Sequence, residues 1–443
     1  MYNVSSKGCR VQMKILFCTH GCKVNQYETQ SLRELFLENG FKLAEKGETP
    51  DVFLLNSCTV TSESDRKNRQ MLRRIKKQYP LCITVLFGCM AQAFPEKAKQ
   101  LGVDIVFGNT DHKKLLDLLN EFIKNRSPLQ LVENHCNGEK YCTPGISYFE
   151  GRTRAYMKIE DGCNRFCSYC AIPYARGRVR SRSISEISDE AEKLAQNGYN
   201  EIVLVGINLS AYGQDTGDTL CNAVNAAAAP KGIKRVRLGS LEPDHISDEI
   251  LENLKKNEKF CPQFHLSLQS GSSATLRRMN RHYDAEFYRD LVKRIRTVFD
   301  NPSITTDVMV GFMGETEEEF LESLNFVKEI GFARCHVFAY SKREGTAAVK
   351  LSGEVPKATK LKRSEKMIEA AGEAQQEFLQ NQLESTQSVL FETVKNGVAE
   401  GYTENYTRVM VKTETDISNR ILEVHLKEIK EDYLLGELKG MDI

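Results

Sequence analysis

No run of apolar residues in this 443-residue sequence approaches the ~20 residues needed to cross a membrane. The first ten residues also lack the apolar segment of a secretory signal peptide. With 41% hydrophobic and 27% charged residues, these absences exclude an integral membrane protein and favour a globular protein of the cytoplasm. The sequence has fourteen cysteines, and in a reducing compartment thiols serve metal binding or catalysis rather than disulfides.

An excess of charge of one sign is also missing. The net charge is +1, which argues neither for nor against a nucleic-acid partner, but the charge is unevenly distributed. Residues 152–182 carry eight basic and two acidic side chains, and residues 66–77 carry seven basic side chains and no acidic one. Because Arg binds phosphate well, we expect both runs to contact RNA phosphates, and a solvated helix face is the alternative for 66–77. The candidate residues of the first run are Arg176, Arg178, Arg180 and Arg182.

The densest cysteine motif lacks a fourth ligand. Within Cys163-Asn164-Arg165-Phe166-Cys167-Ser168-Tyr169-Cys170, three thiols can face one iron or zinc centre. No Cys follows before Cys221, and no His before His245. A structural zinc site would have the fourth position filled, whereas a four-iron cluster on three thiolates leaves one iron open for a substrate or cofactor. A zinc site that borrows a distant ligand is the alternative.

Residues 13–125 alternate short apolar runs with helical segments, which predicts four βα units and an open parallel sheet covered by helices. The predicted strands are Ile15–Cys18, Val52–Leu55, Ile83–Phe87 and Ile105–Phe107, and the predicted helices are Tyr27–Asn39, Glu63–Gln78, Phe94–Leu101 and His112–Lys124. Cys22, Cys58 and Cys89 each lie at or just beyond the carboxyl end of one of the first three strands. Such ends share one edge of a parallel sheet, so the three thiols could form a second metal centre, although a buried Cys is usually just a small hydrophobe.

Residues 126–150 contain Pro, Gly and Asn without periodicity and predict a linker. In residues 151–384, six strands alternate with helices, which predicts an incomplete (β/α)6 barrel with its active face at the carboxyl ends of the strands. The strands are predicted at Tyr156–Glu160, Ile202–Val205, Val236–Leu238, Phe264–Leu268, Thr305–Val310 and His336–Tyr340. Glycine and polar residues that suit a nucleoside cofactor follow these strands, namely Gly206, Asn208, Ser240, Glu242 and Gln269. Gly and Ser are also ordinary turn residues, which is the alternative at these positions.

Residues 385–443 follow a predicted helix at Ala358–Glu384 and contain five short strands. These are predicted at Val389–Glu392, Val398–Gly401, Arg408–Lys412, Leu422–Lys427 and Leu434–Leu438. Five strands in so short a segment predict a small β-barrel. Residues 386–443 carry seven basic and eleven acidic side chains, so RNA would have to bind there by shape and stacking. Tyr402, Tyr406 and Arg408 are the candidate contacts, but such residues also decorate ordinary barrels.

These motifs resemble the methylthiotransferases, a family of radical S-adenosylmethionine (SAM) enzymes. The resemblance covers nearly the whole chain and is carried by the six motif cysteines with their flanking segments. The segment Gly21-Cys22-Lys23-Val24-Asn25-Gln26-Tyr27-Glu28-Thr29 is most similar to the bacterial branch that acts on N6-threonylcarbamoyladenosine in tRNA. Branches that act on isopentenyladenosine in tRNA or on ribosomal protein S12 are the alternatives. A non-catalytic RNA-binding protein with structural metal sites is the alternative from another class.

The resemblance implies two 4Fe–4S clusters. The catalytic one, on Cys163, Cys167 and Cys170, would bind SAM and yield a 5′-deoxyadenosyl radical that activates carbon 2 of the base. The second, on Cys22, Cys58 and Cys89, would bind the sulfur, which a second SAM methylates. The resemblance also implies an OB-like C-terminal TRAM domain, a tRNA substrate, a sulfur donor and a low-potential electron donor such as flavodoxin or ferredoxin. One departure from the family pattern is Met313, which replaces the usual Pro and frees the backbone there.

Overall fold

The computed structural model describes residues 12–59 and 62–440. The start of the chain, where a signal segment is expected to be absent, and Val60 of the second cysteine segment lie outside the described residues. The chain divides into two compact units. One comprises the described residues up to Ile146 together with Tyr174–Gly177, and the other comprises Ser147–Pro173 and the described residues from Arg178 onward. Among the described residues, no helix is both long and apolar enough to cross a membrane.

The first unit is built on a parallel sheet covered by helices, as predicted. Its elements are β1 (Lys14–Thr19), α1 (Lys23–Glu38), β2 (Lys42–Leu43), β3 (Val52–Ser57), α2 (Ser62–Gln78), β4 (Ile83–Gly88), α3 (Cys89–Ala93), α4 (Pro95–Lys99), β5 (Ile105–Phe107), α5 (Lys114–Asn125) and β6 (Leu129–Leu131). The strands lie in the order β2-β1-β3-β4-β5-β6. Every residue of β3 and β4 is buried, as expected for central strands covered on both faces.

The first unit differs from its predicted elements in three places. β2 and β6 are absent from the prediction, and β6 lies inside the predicted linker. Both strands are only two or three residues long and only partly buried, so their sequences contain no hydrophobic pattern that predicts a strand. The helix predicted at Phe94–Leu101 is a pair of short helices, and the first of them starts at Cys89 itself. Pro95 begins the second, where a missing N–H costs no hydrogen bond.

The second unit begins with the predicted incomplete (β/α)6 barrel. Its elements are β7 (Arg154–Lys158), β8 (Glu160–Asp161), the start of α6 (Ile172–Arg176), whose residues from Tyr174 on belong to the first unit, β9 (Arg180–Ser181), α7 (Ile184–Gln196), β10 (Glu201–Val205), α8 (Leu220–Ala228), β11 (Arg235–Leu238), β12 (Ser240–Leu241), α9 (Asp248–Lys255), β13 (Gln263–Leu266), α10 (Ser273–Arg278), α11 (Ala285–Val298), β14 (Ser303–Val310), α12 (Glu317–Ile330) and β15 (Arg334–Ala339). The parallel strands form two sheets, β11-β10-β7 and β12-β13-β14-β15, separated only by Gly239. The two sheets follow each other around the incomplete barrel. Among the described strands, β7 and β15 are therefore the two open edges of this barrel.

Local sequence fixes where the helices of this barrel begin. Ser183 and Thr316 precede α7 and α12, and each accepts a hydrogen bond from the backbone N–H three residues later. Glu186 and Glu319 occupy those third positions and bond back to the cap, which completes a capping box. Each helix therefore starts directly after the loop that follows the preceding strand, which keeps those loops short and ordered.

A long helix and a closed five-stranded barrel complete the second unit. The elements are α13 (Lys357–Gln380), β16 (Thr386–Lys395), β17 (Val398–Thr403), β18 (Arg408–Lys412), β19 (Ile421–Lys430) and β20 (Tyr433–Leu438). The strands close in the order β16-β17-β18-β20-β19 around a core that includes Val389, Phe391 and Val409. This is the OB-like barrel that the sequence predicts. The finer division at 126–150 and 384/385 stays a prediction.

Candidate active site

The three cysteines of the central motif lie on the loop that follows β7 and β8. This loop is held at the carboxyl end of the barrel, where Ser168 donates its backbone N–H to the Met279 carbonyl at 3.0 Å. N–H groups approach all three sulfur atoms. The backbone N–H groups of Arg165 and Ile172 donate to Cys163 Sγ and Cys170 Sγ, each at 3.4 Å, and Arg281 Nη1 donates to Cys167 Sγ at 3.2 Å. Such donors stabilise thiolates that bind a metal cluster.

The thiols of this loop are close enough to influence one another. Burial, together with the charge of Cys167, raises the pKa of Cys163 and of Cys170 to about 12. A metal must displace these protons, because only the thiolate is a ligand. Within the described residues, no three His, Cys, Asp or Glu side chains are placed to hold a single metal ion. A 4Fe–4S cluster does not need that arrangement, since each of its cysteines binds a different iron, and the donor set fits such a cluster.

The residues predicted to face the cofactor lie on the loops around this motif. A Cβ on Gly206 would lie 2.5 Å from Glu160 Oε2, so only glycine fits there. The backbone N–H of Asn208 donates to the same oxygen at 2.8 Å, and Asn208 Oδ1 is buried without a partner among the described residues. The Glu242 carboxylate accepts from Arg281 at 2.5 Å. Ser240 is exposed at the start of β12.

Gln269 lies at a strained point of these loops. Its φ of +68° is in the left-handed region, where a side chain other than glycine costs energy. Its backbone bridges to β14, because its N–H donates to the Asp307 carbonyl at 2.9 Å and its carbonyl accepts from Met309 at 2.8 Å. Gln269 therefore fixes the path of the loop beside the barrel lumen. An orphaned buried amide oxygen on Asn208 and a strained loop at Gln269 both fit a site shaped for a polar cofactor.

Sequence reasoning missed two residues of this site. Glu160 is fully buried, its Oε1 has no partner among the described residues, and burial raises its pKa to about 8. Arg281 connects Cys167 to Glu242. Glu160 stands three residues before Cys163, and this proximity in sequence could have identified Glu160 as a candidate site residue. Arg281 has no such signal, since it follows α10 in a segment without a motif.

The other three cysteines lie at one edge of the N-terminal sheet, as predicted from their positions. Cys22 caps the N-terminus of α1, Cys58 follows β3, and Cys89 begins α3 directly after β4. β1, β3 and β4 are neighbours, so their carboxyl ends lie side by side. Cys22 is exposed, and Cys58 and Cys89 are buried.

Charge links two of these cysteines to one arginine of the same unit. Although Cys22 as a whole residue is exposed, its thiol is surrounded by protein atoms, and this desolvation raises its pKa. The Arg176 charge lowers the pKa in part, and the Cys89 charge raises it. Arg176 Nε also donates to Cys89 Sγ at 3.2 Å. Two thiols that share a guanidinium are a plausible donor set for a second cluster, because the cation offsets the negative charge of the thiolates.

The arginine run is not a row of exposed cations. Arg176 is fully buried and paired with buried Glu28. Arg182 is paired with Glu190 at 2.6 Å, and Arg180 lies 3.5 Å from the Asp161 carboxylate. Three of the four predicted phosphate contacts are thus buried against carboxylates, which residue type alone could not reveal.

The exposed cations are the remaining arginine of this run and most of the second basic run. Arg178 is exposed, and its guanidinium lies 4.6 Å from the centre of the Phe166 ring. The second basic run lies on α2, where most of its cations face solvent. Those exposed are Arg66, Lys67, Arg73, Arg74 and Lys77. Of the two runs, α2 is therefore the better candidate for contacts with RNA phosphates.

The aromatic candidates on the C-terminal barrel contact the catalytic barrel. Tyr402 and Tyr406 stack on each other with ring centres 4.7 Å apart. The Arg154 guanidinium lies 4.9 Å from the first ring centre and 4.8 Å from the second, and Arg237 lies 4.8 Å from Tyr406. Arg408 bonds to Glu400 and Asp432 on its own barrel. These contacts favour a structural role for the two tyrosines over base stacking.

Two family descriptions match the chain, the Radical SAM superfamily over residues 157–327 and the Uncharacterized protein family UPF0004 over residues 14–108. Among solved structures, the radical S-adenosylmethionine methyltransferase TsrM from Kitasatospora setae shares the fold with a TM-score of 0.54. It is 13% identical, and the match covers 74% of this chain and 75% of that chain. The incomplete barrel and its three-cysteine loop thus define a radical SAM enzyme.

Similarity over the whole chain narrows this class. Threonylcarbamoyladenosine tRNA methylthiotransferase MtaB of Bacillus subtilis (strain 168) is 38% identical over 434 residues, which cover 96% of each protein. The tRNA-2-methylthio-N(6)-dimethylallyladenosine synthase of Clostridium perfringens (strain SM101 / Type A) is 34% identical over 81% of this chain and 82% of its own. The chain belongs to the tRNA methylthiotransferase family of radical SAM enzymes. It is a transferase that uses SAM and 4Fe–4S clusters and acts on tRNA.

Proposed function

We propose that this enzyme converts N6-threonylcarbamoyladenosine at position 37 of tRNA, just 3′ of the anticodon, to its 2-methylthio form. The observation that carries the proposal is the 38% identity over 96% of the chain to a relative named for that substrate. Two relatives named for dimethylallyladenosine are less similar, at 34% and 35% identity. The segment from Gly21 to Thr29 supports the same branch.

The test of the proposed substrate is a reaction with purified, anaerobically reconstituted enzyme, SAM, a reductant and a sulfide source. Separate reactions contain tRNA with threonylcarbamoyladenosine, tRNA with isopentenyladenosine, and ribosomal protein S12. Mass spectrometry of nucleosides and peptides should find a methylthio group only on the first. Turnover of isopentenyladenosine or S12 with none of threonylcarbamoyladenosine would refute the assignment.

We further propose that Cys163, Cys167 and Cys170 hold the cluster that binds SAM, and that Cys22, Cys58 and Cys89 hold the second. A reduced cluster with SAM would supply a carbon radical, which an aromatic C–H requires because it is too nonpolar for acid–base chemistry. Arg281 would orient Cys167 and neutralise Glu242. Asn208 Oδ1, which is buried without a partner among the described residues, would accept a hydrogen bond from the cofactor, and Gln269 holds its own loop in place.

Iron analysis tests this pair of sites. The reconstituted chain should bind about eight iron atoms, because each cubane contributes four. Replacing either cysteine triad by Ala should remove half of the iron. Only loss of the central triad should abolish SAM cleavage. Stoichiometric zinc in anaerobically isolated protein would contradict both sites.

The partners and the compartment follow from this chemistry. One-electron reduction needs a low-potential donor such as flavodoxin or ferredoxin, and the transferred sulfur needs a donor of its own. The tRNA would contact the exposed cations of α2 and Arg178. A tRNA substrate and a reductive reaction both suit the cytoplasm.

A further inference from the structure

The inner face of β14 and β15 carries a row of side chains that the reaction described above does not use. Alternate residues of a strand share one face. In the paired register, Met309 lies opposite Phe338, Asp307 opposite His336, and Thr305 opposite Arg334. The row on the edge strand therefore reads Phe338, His336 and Arg334, with ~7 Å between successive members.

The middle of this row is a histidine–aspartate–histidine cluster. A carboxylate only accepts hydrogen bonds, so His336 Nδ1 donates to Asp307 Oδ1, at 3.2 Å. On its other side, Asp307 Oδ2 lies 3.5 Å from His265 Nε2. Burial raises the pKa of Asp307, but the hydrogen bonds from the two histidines outweigh burial and lower it overall, so the carboxylate stays ionised. With Nδ1 bound to Asp307, His336 presents Nε2 outward from a side chain that is 54% exposed.

The two ends of the row are also open. Arg334 is exposed, and it forms no ion pair with any residue that the structure describes. Phe338 is 40% exposed, so part of its ring is accessible to a ligand. A cation, an imidazole and an aromatic ring thus stand in line on one accessible edge strand.

One end of this row lies nearer to the cysteine loop than the other. Met309, next to Phe338, belongs to a core cluster against which Tyr169 packs. Tyr169 lies between Cys167 and Cys170. Phe338 is therefore the end of the row nearest the cysteines, and Arg334 is the far end.

We propose that this row binds the modified nucleoside, with the base against Phe338, the carbamoyl group at His336 and the threonyl carboxylate at Arg334. The inference rests on the proposed function and adds to it the residues that select the substrate. An aromatic ring suits a base, an imidazole suits an amide, and a guanidinium suits a carboxylate. An isopentenyl group offers no hydrogen-bond partner, so Arg334 and His336 would be covered by the RNA without a partner. Covering them in this way costs binding free energy.

Binding of anticodon stem-loops to the reconstituted enzyme tests the proposal. Three stem-loops are compared, bearing threonylcarbamoyladenosine, its methyl ester or plain adenosine, and dissociation constants are measured by fluorescence anisotropy. The native enzyme should prefer the free carboxylate over the ester by about tenfold or more, the weight of one charged hydrogen bond. Arg334→Gln should bind both alike, and Arg334→Lys should recover part of the preference. Phe338→Ala should weaken all three stem-loops.

Lys293→Gln is the matched control, since Lys293 is an exposed cation on the outer helix α11. It should keep the native preference, and all variants should keep their iron. An Arg334→Gln enzyme that still prefers the free carboxylate would overturn the inference. So would a native enzyme that modifies threonylcarbamoyladenosine yet binds acid and ester equally, and in that case the proposed function stands. A native enzyme that modifies only isopentenyladenosine would remove the proposed function and the inference together.

Discussion

The role of Arg176 in the structure differs from the role that the sequence predicts. In the sequence it belongs to a basic run, and in the structure it is buried against Glu28 and Cys89. Removing one partner of a buried ion pair leaves the other charged and desolvated, which typically costs about 3–5 kcal/mol. We expect Arg176→Ala to lose stability on that scale in urea unfolding and to lower the iron content.

Two comparisons separate this role from RNA binding. Arg74→Ala, on the exposed face of α2, should change the free energy of unfolding by no more than about 0.5 kcal/mol. Adding Glu28→Gln to the Arg176 variant should recover part of the loss, because the unpaired charge is gone. If Arg176→Ala were as stable as the native chain, the buried pair would have no structural role.

Glu160 gives a prediction for pH. Its pKa in the folded protein, about 8, lies above its ordinary value of 4.5. The folded state then binds more protons than the unfolded state between these values, so the contribution of Glu160 to stability is fully present below pH 4.5 and is lost as pH rises toward 8, by up to about 1.4 kcal/mol per pH unit. We expect Glu160→Gln to flatten this decline between pH 5 and pH 8 in urea titrations. Glu252→Gln, an exposed change on α9, should leave the slope as it is.

At the scale of elements, the exposed arginines of α2 and Arg178 should behave differently from the buried Arg182 in tRNA binding. Each lost phosphate contact reduces the log–log salt slope by roughly 0.7 to 0.9. We expect that reduction for Arg73→Gln, Arg74→Gln and Arg178→Gln, whose side chains are exposed. Arg182→Gln should leave the slope unchanged while lowering stability, because Arg182 is paired with buried Glu190. An unchanged slope in all of the exposed variants would show that the cations of α2 form only a solvated helix face and do not contact RNA.

The helices and strands were predictable where their burial requires a recognisable pattern of apolar residues in the sequence. β3 and β4 are mostly apolar runs because both of their faces are covered. β2 and β6 are too short and too exposed to leave a pattern. The cysteine positions were predictable because each follows a strand end. The partners of the arginines were not, since Glu28 is 148 residues from Arg176 in sequence.

At the scale of the molecule, the C-terminal barrel is seated on the amino-terminal ends of the catalytic strands. Arg154, Glu201 and Arg235 begin β7, β10 and β11, and Glu201 is fully buried among these two arginines and Arg237. Arg235 Nη2 donates to the Ser388 carbonyl at 2.7 Å, and Arg237 Nη1 donates to the Glu404 carbonyl at 2.8 Å. The barrel is therefore attached to the face opposite the cysteine loop.

We expect Tyr402→Ala with Tyr406→Ala to loosen this attachment, because each cation–π contact with Arg154 contributes about 0.5–2 kcal/mol. Hydrogen exchange in β16–β20 should accelerate, and SAM cleavage without tRNA should stay near the native rate. Tyr433→Ala, on the same barrel beside Arg408, is the comparison variant. Weaker tRNA binding with no change in exchange would instead assign the two tyrosines to RNA.

Met313, which stands where the family resemblance leads us to expect a proline, affects how the enzyme responds to oxygen. It is buried beside Met279 and Met309, in the cluster against which Tyr169 packs. Oxidants generated at a damaged cluster would meet three thioethers, and a sulfoxide is too polar for such a core. Oxygen damage would then persist in the protein after the iron is replaced. Air-exposed enzyme should regain its iron on reconstitution but not its full activity until methionine sulfoxide reductase is added, and peptide mass spectrometry should locate the oxygen on these methionines.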